Sequence, residues 1–136
     1  MGSAFKTLMT KGGVLLIPPA LLSKLYVKGS LNCSPENSEF KLKNVLAPST
    51  IIGFEKVEVD GAPYPLDKVL LSKKNSVRLA ASVTPQAPFL LNINEEVKVT
   101  LEGLKLSPGF HRIALHLESK EVGEVEIPVE DTVWES

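Results

Sequence analysis

The sequence predicts an all-β fold in which two antiparallel sheets pack face to face as a sandwich. Apolar residues recur at every second position, turn-forming residues recur about every 8–12 residues, and no stretch sustains a helical repeat. The 136 residues include 10 Pro and 9 Gly, which favours short strands over long helices. The pattern gives about seven to nine strands and is typical of an immunoglobulin-like or jelly-roll-like sandwich.

The first 22 residues form an N-terminal arm that is apolar but follows neither the strand repeat nor the helical repeat. Pro19 favours one helical turn up to Lys24, because proline is tolerated at a first helical position. We expect one domain, with residues 1–22 as this arm, 23–131 as the sandwich and 132–136 as a tail.

Two strands are predicted at the start of the sandwich. The first covers residues 23–33, and its apolar positions of one parity are Leu25, Val27, Leu31 and Cys33. A turn at residues 34–37 leads into the second strand, in which Phe40 and Leu42 alternate with charged residues. The second strand is expected to pair back on the first.

The next strand, residues 50–59, changes phase midway. Its apolar residues are Ile52 and Phe54 in one phase, then Val57 and Val59 in the other. This switch predicts a β-bulge near Glu55 and Lys56. Asp60-Gly61 is a strong signal for a two-residue turn, and Pro63 and Pro65 then limit the returning strand to a sheet edge.

The remaining strands follow the same rule. A hairpin is expected from residues 69–71 and 77–81, followed by an apolar segment at 89–91 and an alternating strand at 97–101. The clearest pattern is a final hairpin within residues 106–131, whose inward positions are Ile113, Leu115, Leu117, Val125, Ile127 and Val129.

Charge and cysteine content exclude several classes of partner. Fifteen basic and 16 acidic residues are interspersed and give a net charge of −1, so no field attracts nucleic acid or anionic lipid. The longest apolar run near the N-terminus is interrupted by Pro18-Pro19 and is too short to span a membrane. Because the single Cys33 cannot form an internal disulfide, we expect a reducing, cytoplasmic environment.

The sequence contains no recognisable catalytic constellation. His111 and His116 are the only histidines, and their odd spacing places them on opposite faces of one strand, where they cannot share a metal. We interpret His111 as a structural residue that bonds to backbone at a corner, and His116 as a solvated side chain. No nucleophile elbow, phosphate loop or Cys-x-x-Cys motif is present, so we expect no catalytic residue, metal or cofactor.

The N-terminal arm is more apolar than a lead-in to a sandwich requires. Candidate interface residues are Phe5, Leu8, Met9, Val14, Leu15, Leu16, Ile17 and, at the other terminus, Trp134. Excess apolar surface often marks an interface with a second copy or with another protein. The alternative is that the arm folds back and covers its own sheet.

Several segments together resemble the small β subunit of bacterial C-glycoside deglycosidases and the uncharacterised family around it. These segments are Gly-Ser-Leu-Asn at 29–32, Glu-Phe-Lys-Leu at 39–42 followed by Asn44, Val-Glu-Val-Asp-Gly at 57–61, and residues 106–111. The resemblance implies a β-sandwich that packs on a larger catalytic subunit, and it assigns no site residues.

The sequence therefore favours a non-catalytic accessory or structural subunit that self-associates or docks on a larger enzyme subunit. One alternative is a carbohydrate or small-ligand binding module that uses Tyr26, Tyr64 or Trp134. Another is an enzyme whose site is assembled between subunits around His111 or His116. Few Gln, Cys and Met residues together with many Pro residues also resemble the composition of heat-adapted proteins.

Overall fold

The structure, a computed structural model, describes residues 6–10 and 13–134 and shows the predicted two-sheet antiparallel sandwich. Its strands are β1 (Lys6–Thr10), β2 (Gly13–Ile17), β3 (Asn32–Cys33), β4 (Asn37–Lys43), β5 (Ser49–Val59), β6 (Ala62–Tyr64), β7 (Val69–Lys73), β8 (Ser76–Leu79), β9 (Phe89–Leu91), β10 (Glu96–Glu102), β11 (Gly109–Ser119) and β12 (Gly123–Val133). One short helix, α1 (Pro19–Leu22), follows the arm.

The first sheet has the strand order β3-β4-β10-β7-β8, and the second has β12-β11-β5-β6 with β9 also paired to β5. Strands β1 and β2 form a separate hairpin. The two large sheets thus contain ten strands within the described ranges, more than the seven to nine expected. Three of the ten, β3, β6 and β9, are only two or three residues long.

The core lies between the two sheets and is formed by the inward residues of the alternating strands. Phe40 and Leu101 from the first sheet and Val57 and Val129 from the second are fully buried. The final hairpin is confirmed, and every inward position predicted for it is buried: Ile113, Leu115, Leu117, Val125, Ile127 and Val129. Its strands run beyond the predicted limit, and β12 ends at Val133.

The predicted β-bulge in β5 is confirmed. His116 pairs with Lys56 but Leu117 pairs with Phe54, so Glu55 is the extra residue. A second register shift leaves Ile52 unpaired three residues earlier. Because each bulge reverses the parity of the strand, Ile51 rather than Ile52 is buried.

The Asp60-Gly61 turn is also confirmed. Asp60 has φ 50° and Gly61 has φ 84°, the left-handed conformations that a type I′ hairpin turn requires at both central positions. The turn joins β5 to β6, which lies at the edge of the second sheet as Pro63 predicts.

The prediction of a strand over residues 23–33 is wrong. After α1 the chain forms a short 3-10 turn at Ser23–Leu25, and only Asn32–Cys33 is a strand. Between them, Tyr26 makes an isolated bridge to Leu42 of β4, and the chain contacts β12 of the other sheet. The segment therefore closes one open side of the sandwich, where its inward residues are buried without a regular ladder.

No helix in the described ranges is long and apolar enough to cross a membrane.

Candidate functional site

The structure places the two ends of the chain near one strand. The β1–β2 hairpin contacts β12, and Trp134 follows the end of β12 directly. Of the candidate interface residues, Phe5 lies outside the described residues, and the side chains of Leu8, Met9, Val14, Leu15 and Leu16 do as well, although the backbone of these five belongs to the hairpin. Ile17 is half-buried and packs against the core. The arm and Trp134 thus share β12 as a neighbour.

Phe110 and Trp134 are large, exposed aromatic residues at the same end of the β11–β12 hairpin. The side chain of Trp134 is 81% exposed and that of Phe110 is 56% exposed. Phe110 pairs with Thr132, two residues before Trp134, and the Arg112 guanidinium carbon lies 5.6 Å from the centre of the Phe110 ring. Aromatic residues and arginine are both enriched in protein interfaces. We call these three residues, Phe110, Arg112 and Trp134, the aromatic patch.

Sequence analysis missed Phe110, although a signal for it was present. The alternation that directs Arg112 and His116 outward also directs Phe110 outward, because all three share one parity on β11. A bulky aromatic residue in phase with a solvated row is a candidate for a contact surface rather than for the core.

A hydrogen-bonded clamp holds the side of the sandwich next to this patch. The Tyr26 hydroxyl donates to the Asp131 carboxylate at 2.7 Å and accepts from the Leu31 backbone N–H at 2.8 Å. The Gly29 N–H donates to the same carboxylate oxygen at 2.7 Å. We call this group the Tyr26 clamp; it fixes the segment after α1 to the end of β12.

Burial and hydrogen bonding shift both ionisable groups of the Tyr26 clamp. Burial, reinforced by the Asp131 carboxylate, raises the pKa of Tyr26 to about 12. Burial alone would raise the pKa of Asp131, but the hydrogen bonds from Tyr26, Thr132 and Gly29 outweigh it and lower that pKa. The pair is therefore a neutral phenol and a carboxylate near neutral pH.

His111 has a structural role in the described structure. Its Nδ1 lies 2.7 Å from Asp60 Oδ2 and its Nε2 lies 2.7 Å from the Ser107 carbonyl oxygen. The hydrogen bond to Asp60 is the main cause of the raised pKa of His111. The pKa of Asp60 is lowered, mainly by the hydrogen bond from the Arg112 backbone N–H and next by the hydrogen bond from His111. The imidazole thus ties the β5–β6 turn to the start of β11, as the corner role predicted.

His116 is not the solvated side chain that the alternation suggested. Its Nε2 lies 3.0 Å from Glu58 Oε1 and its Nδ1 lies 3.8 Å from Glu126 Oε1, and only 15% of its side chain is exposed. Carboxylates from the strands on both sides of β11 cover the ring. His111 and His116 lie on opposite faces of the sheet, so the structure does not bring them together.

Two other kinds of site, a metal site and a sugar-binding site, can be compared with the described residues. No group of three or more His, Cys, Asp or Glu side chains is placed to hold a metal ion within residues 6–10 and 13–134. The hydroxyls of Tyr26 and Tyr64 are both engaged within the chain, the latter with the Glu102 carbonyl oxygen. Of the three aromatic residues considered for sugar binding, only Trp134 is an exposed platform.

Comparison with known protein families identifies the chain. The family model described as hydroxymethylglutaryl-CoA reductase, N-terminal domain, matches residues 21–134. This match covers well over half of the chain, so the chain belongs to that family, which is named after one domain of a larger enzyme. Comparison with curated proteins gave no match.

The resemblance to the small subunit of C-glycoside deglycosidases is therefore wrong. The segments that suggested it are common to many β-sandwiches. Residues 57–61, for example, are the end of β5 and its type I′ turn, which this architecture uses irrespective of family.

Proposed function

We propose that this chain is a non-catalytic accessory domain that docks on the catalytic part of a larger enzyme, a hydroxymethylglutaryl-CoA reductase. The family supports membership of a larger enzyme, and the single observation that carries docking is the exposure of Trp134. Tryptophan has a large apolar side chain, and it is among the residues that most often dominate binding energy at protein interfaces. A surface that displays it beside Phe110 is suited to a partner.

The proposed interface extends from the aromatic patch to the N-terminal arm. Both adjoin β12, which supports one continuous surface that includes the candidate residues Phe5, Leu8, Met9, Val14, Leu15, Leu16, Ile17 and Trp134. The charged pair of Arg112 and Glu130, with Nε and Oε2 3.3 Å apart, lies beside the aromatic residues. An apolar centre with a polar rim is the usual arrangement of such an interface.

The β12 edge itself is unsuited to adding another strand along its length. Pro128 lies in the middle of β12 and cannot donate a backbone hydrogen bond, and Glu124, Glu126 and Glu130 line its outward face. Docking through side chains at the end of β12 is therefore favoured over extension of the sheet by a second copy. A homo-oligomer and a cytoplasmic location remain parts of the proposal that follow from the sequence only.

The proposal is tested by mixing the full chain with the catalytic polypeptide of the reductase and measuring mass by light scattering. We expect a complex, and we expect Trp134→Ala to weaken it by about thirtyfold, the effect of losing about 2 kcal/mol at an interface hot spot. Val77→Ala is the matched control, because Val77 is 61% exposed on β8 at the far edge of the other sheet.

A truncation tests the arm separately. Removing residues 5–16 spares Ile17 and Leu22, which pack in or against the core, so the sandwich should stay folded while the complex weakens. A complex that forms equally well with Trp134→Ala and with the truncated chain contradicts the proposed surface. If the folded wild-type chain remains a monomer beside the catalytic polypeptide, the accessory role itself is wrong.

A further inference from the structure

An apolar cavity of about 280 Å³ lies between the two sheets at the end nearest the β11–β12 turn. Its walls come from both sheets, with Leu42 and Val97 among the contributors from the first sheet and Leu91 and Val125 among those from the second. Leu25 from the turn after α1 and Leu46 from the β4–β5 loop also line the cavity. An apolar cavity of about 150 Å³ is large enough to bind benzene, so this cavity has room for a larger molecule.

The bulges in β5 lie at this end of the cavity. Phe54 lines the cavity and lies between the two extra residues, Ile52 and Glu55. A bulge bends its strand and increases the local twist. The residues that line the cavity are mostly aliphatic and leave this space unfilled.

Four polar residues line the cavity, Lys43, Asn44, Ser49 and Ser119, and the side chains of the last three are hydrogen-bonded within the chain. The Asn44 amide nitrogen donates to the carbonyl oxygens of Ala47 and Leu91 at 2.6 and 2.9 Å, and Ser119 Oγ accepts from the Val122 N–H at 3.0 Å. No buried side-chain nitrogen or oxygen of the described residues lacks a hydrogen-bond partner. Apart from Lys43, the lining therefore offers little to a polar or charged ligand group, and water inside the cavity would find few partners.

The cavity also has an accessible mouth. Leu21 on α1 and Leu46 in the β4–β5 loop both line it, yet they are 40% and 38% exposed. Their side chains thus face the cavity and solvent together. A ligand can enter between them without the sheets separating.

We propose that this cavity binds the aliphatic chain of a single-chain amphiphile, with the chain between the sheets and the head group at the mouth between Leu21 and Leu46. This binding site shares Ile17 with the proposed docking surface but does not include Phe110 or Trp134. Burial of the chain supplies the affinity, because its methylene groups leave water and enter a space lined by leucine and valine.

A series of straight-chain alcohols from butanol to decanol, titrated by calorimetry, tests the proposal. We expect saturable binding in which each added methylene tightens the dissociation constant by about fourfold, corresponding to about 0.8 kcal/mol per buried methylene. The gain should stop once the chain fills the cavity. The absence of saturable binding, or affinity that keeps rising with chain length without a limit, overturns the proposal.

Variants that fill the cavity distinguish this site from adsorption to the surface. Val125→Phe adds volume from β12, and Leu25→Phe adds it from a half-buried turn that tolerates change more easily. Each should weaken decanol binding by about tenfold or more, the effect that a misfit of about a methylene has in an apolar pocket. Val77→Phe is the matched control at an exposed position and should bind decanol like the wild type. Equal decanol affinity in Leu25→Phe and Val77→Phe, with both variants folded, contradicts the assigned site.

Discussion

The Tyr26 clamp should contribute a large part of the stability of this sandwich, and Tyr26→Phe tests it with the loss of one oxygen atom. The substitution removes two hydrogen bonds of the Tyr26 hydroxyl. One is donated to the Asp131 carboxylate at 2.7 Å, and the other is accepted from the Leu31 N–H at 2.8 Å. A hydrogen bond to a charged group contributes about 1.5–3 kcal/mol and a neutral one about 1 kcal/mol. Since the Gly29 N–H still bonds to Asp131, we expect a loss of about 2–3 kcal/mol in the free energy of unfolding.

The same loss can be expressed as a change in melting temperature. The unfolding entropy of 136 residues is about 0.29 kcal/mol/K, so the melting temperature should fall by about 7–10 °C. Thermal unfolding followed by circular dichroism at neutral pH measures this change. Tyr64→Phe is the matched control, because that hydroxyl bonds to a carbonyl oxygen at an exposed position and should cost at most about 1 kcal/mol. If Tyr26→Phe unfolds within about 0.5 kcal/mol of wild type, the clamp does not stabilise the fold.

Alkaline pH offers a second measurement on the same clamp. Folding raises the pKa of Tyr26 from 10.0 to about 12, so its contribution to stability is complete below pH 10 and is lost as the pH rises toward 12. Urea unfolding in this range should show a steeper decline in wild type than in Tyr26→Phe, in which the raised pKa of Tyr64 still leaves part of the decline. An identical decline in both proteins would assign it to other groups.

Three further predictions concern the core, the His111 pair and one turn. Phe40→Ala should cost about 3–5 kcal/mol because Phe40 is fully buried, whereas Phe110→Ala should stay within about 0.5 kcal/mol, and equal losses in urea unfolding would contradict the assigned burial. The pair of His111 and Asp60 should stabilise the fold most between pH 3.8 and 6.5. The stabilisation from His111 declines as the pH rises through its raised pKa, and the stabilisation from Asp60 declines in acid as the pH falls through its lowered pKa. Asp60→Asn should bring the His111 pKa, measured by NMR titration, down toward 6.5, and an unchanged pKa would show that Asp60 does not raise it. Gly61→Ala should cost about 1–2 kcal/mol in thermal unfolding from its φ of 84° alone, since no atom obstructs the added methyl group, and an unchanged melting temperature would contradict the type I′ turn.

The parts of the fold that sequence analysis predicted are those that local pattern determines. The β11–β12 hairpin is visible because alternation and a turn signal fall within one short stretch of chain. The bulge at Glu55 is visible because it reverses the parity of apolar residues in one strand. The Asp60-Gly61 turn depends only on which residues tolerate positive φ.

The errors arose where partners distant in the sequence decide the local structure. Leu25, Val27 and Leu31 alternate as a strand would, but the chain there is held by Asp131, which is 105 residues away from Tyr26. His116 was expected to be solvated, but Glu58, diagonal to it on β5 where His116 itself pairs with Lys56, covers the ring from 58 residues away in the sequence. Neither relation can be read from neighbouring residues alone.

The candidate surface was predicted in part for the same reason. Trp134 is conspicuous in the sequence because it lies beyond the last predicted strand, whereas Phe110 comes directly after the Pro108-Gly109 turn, at the first outward position of β11, before the alternation is established. The cavity is lined by residues of both sheets that lie far apart in the sequence, so no local pattern specifies it.

Hydrogen–deuterium exchange of the full chain, with and without the catalytic polypeptide of the reductase, tests the docking proposal most directly. We expect new protection at the end of β12 and the start of β11, around Thr132 and Phe110, and in the arm from residue 6 to residue 17. The β7–β8 hairpin, on the far edge of the other sheet, should exchange at the same rate in both samples. Protection confined to β8, or no change anywhere under conditions in which both proteins are folded, would contradict docking through the arm and the aromatic patch.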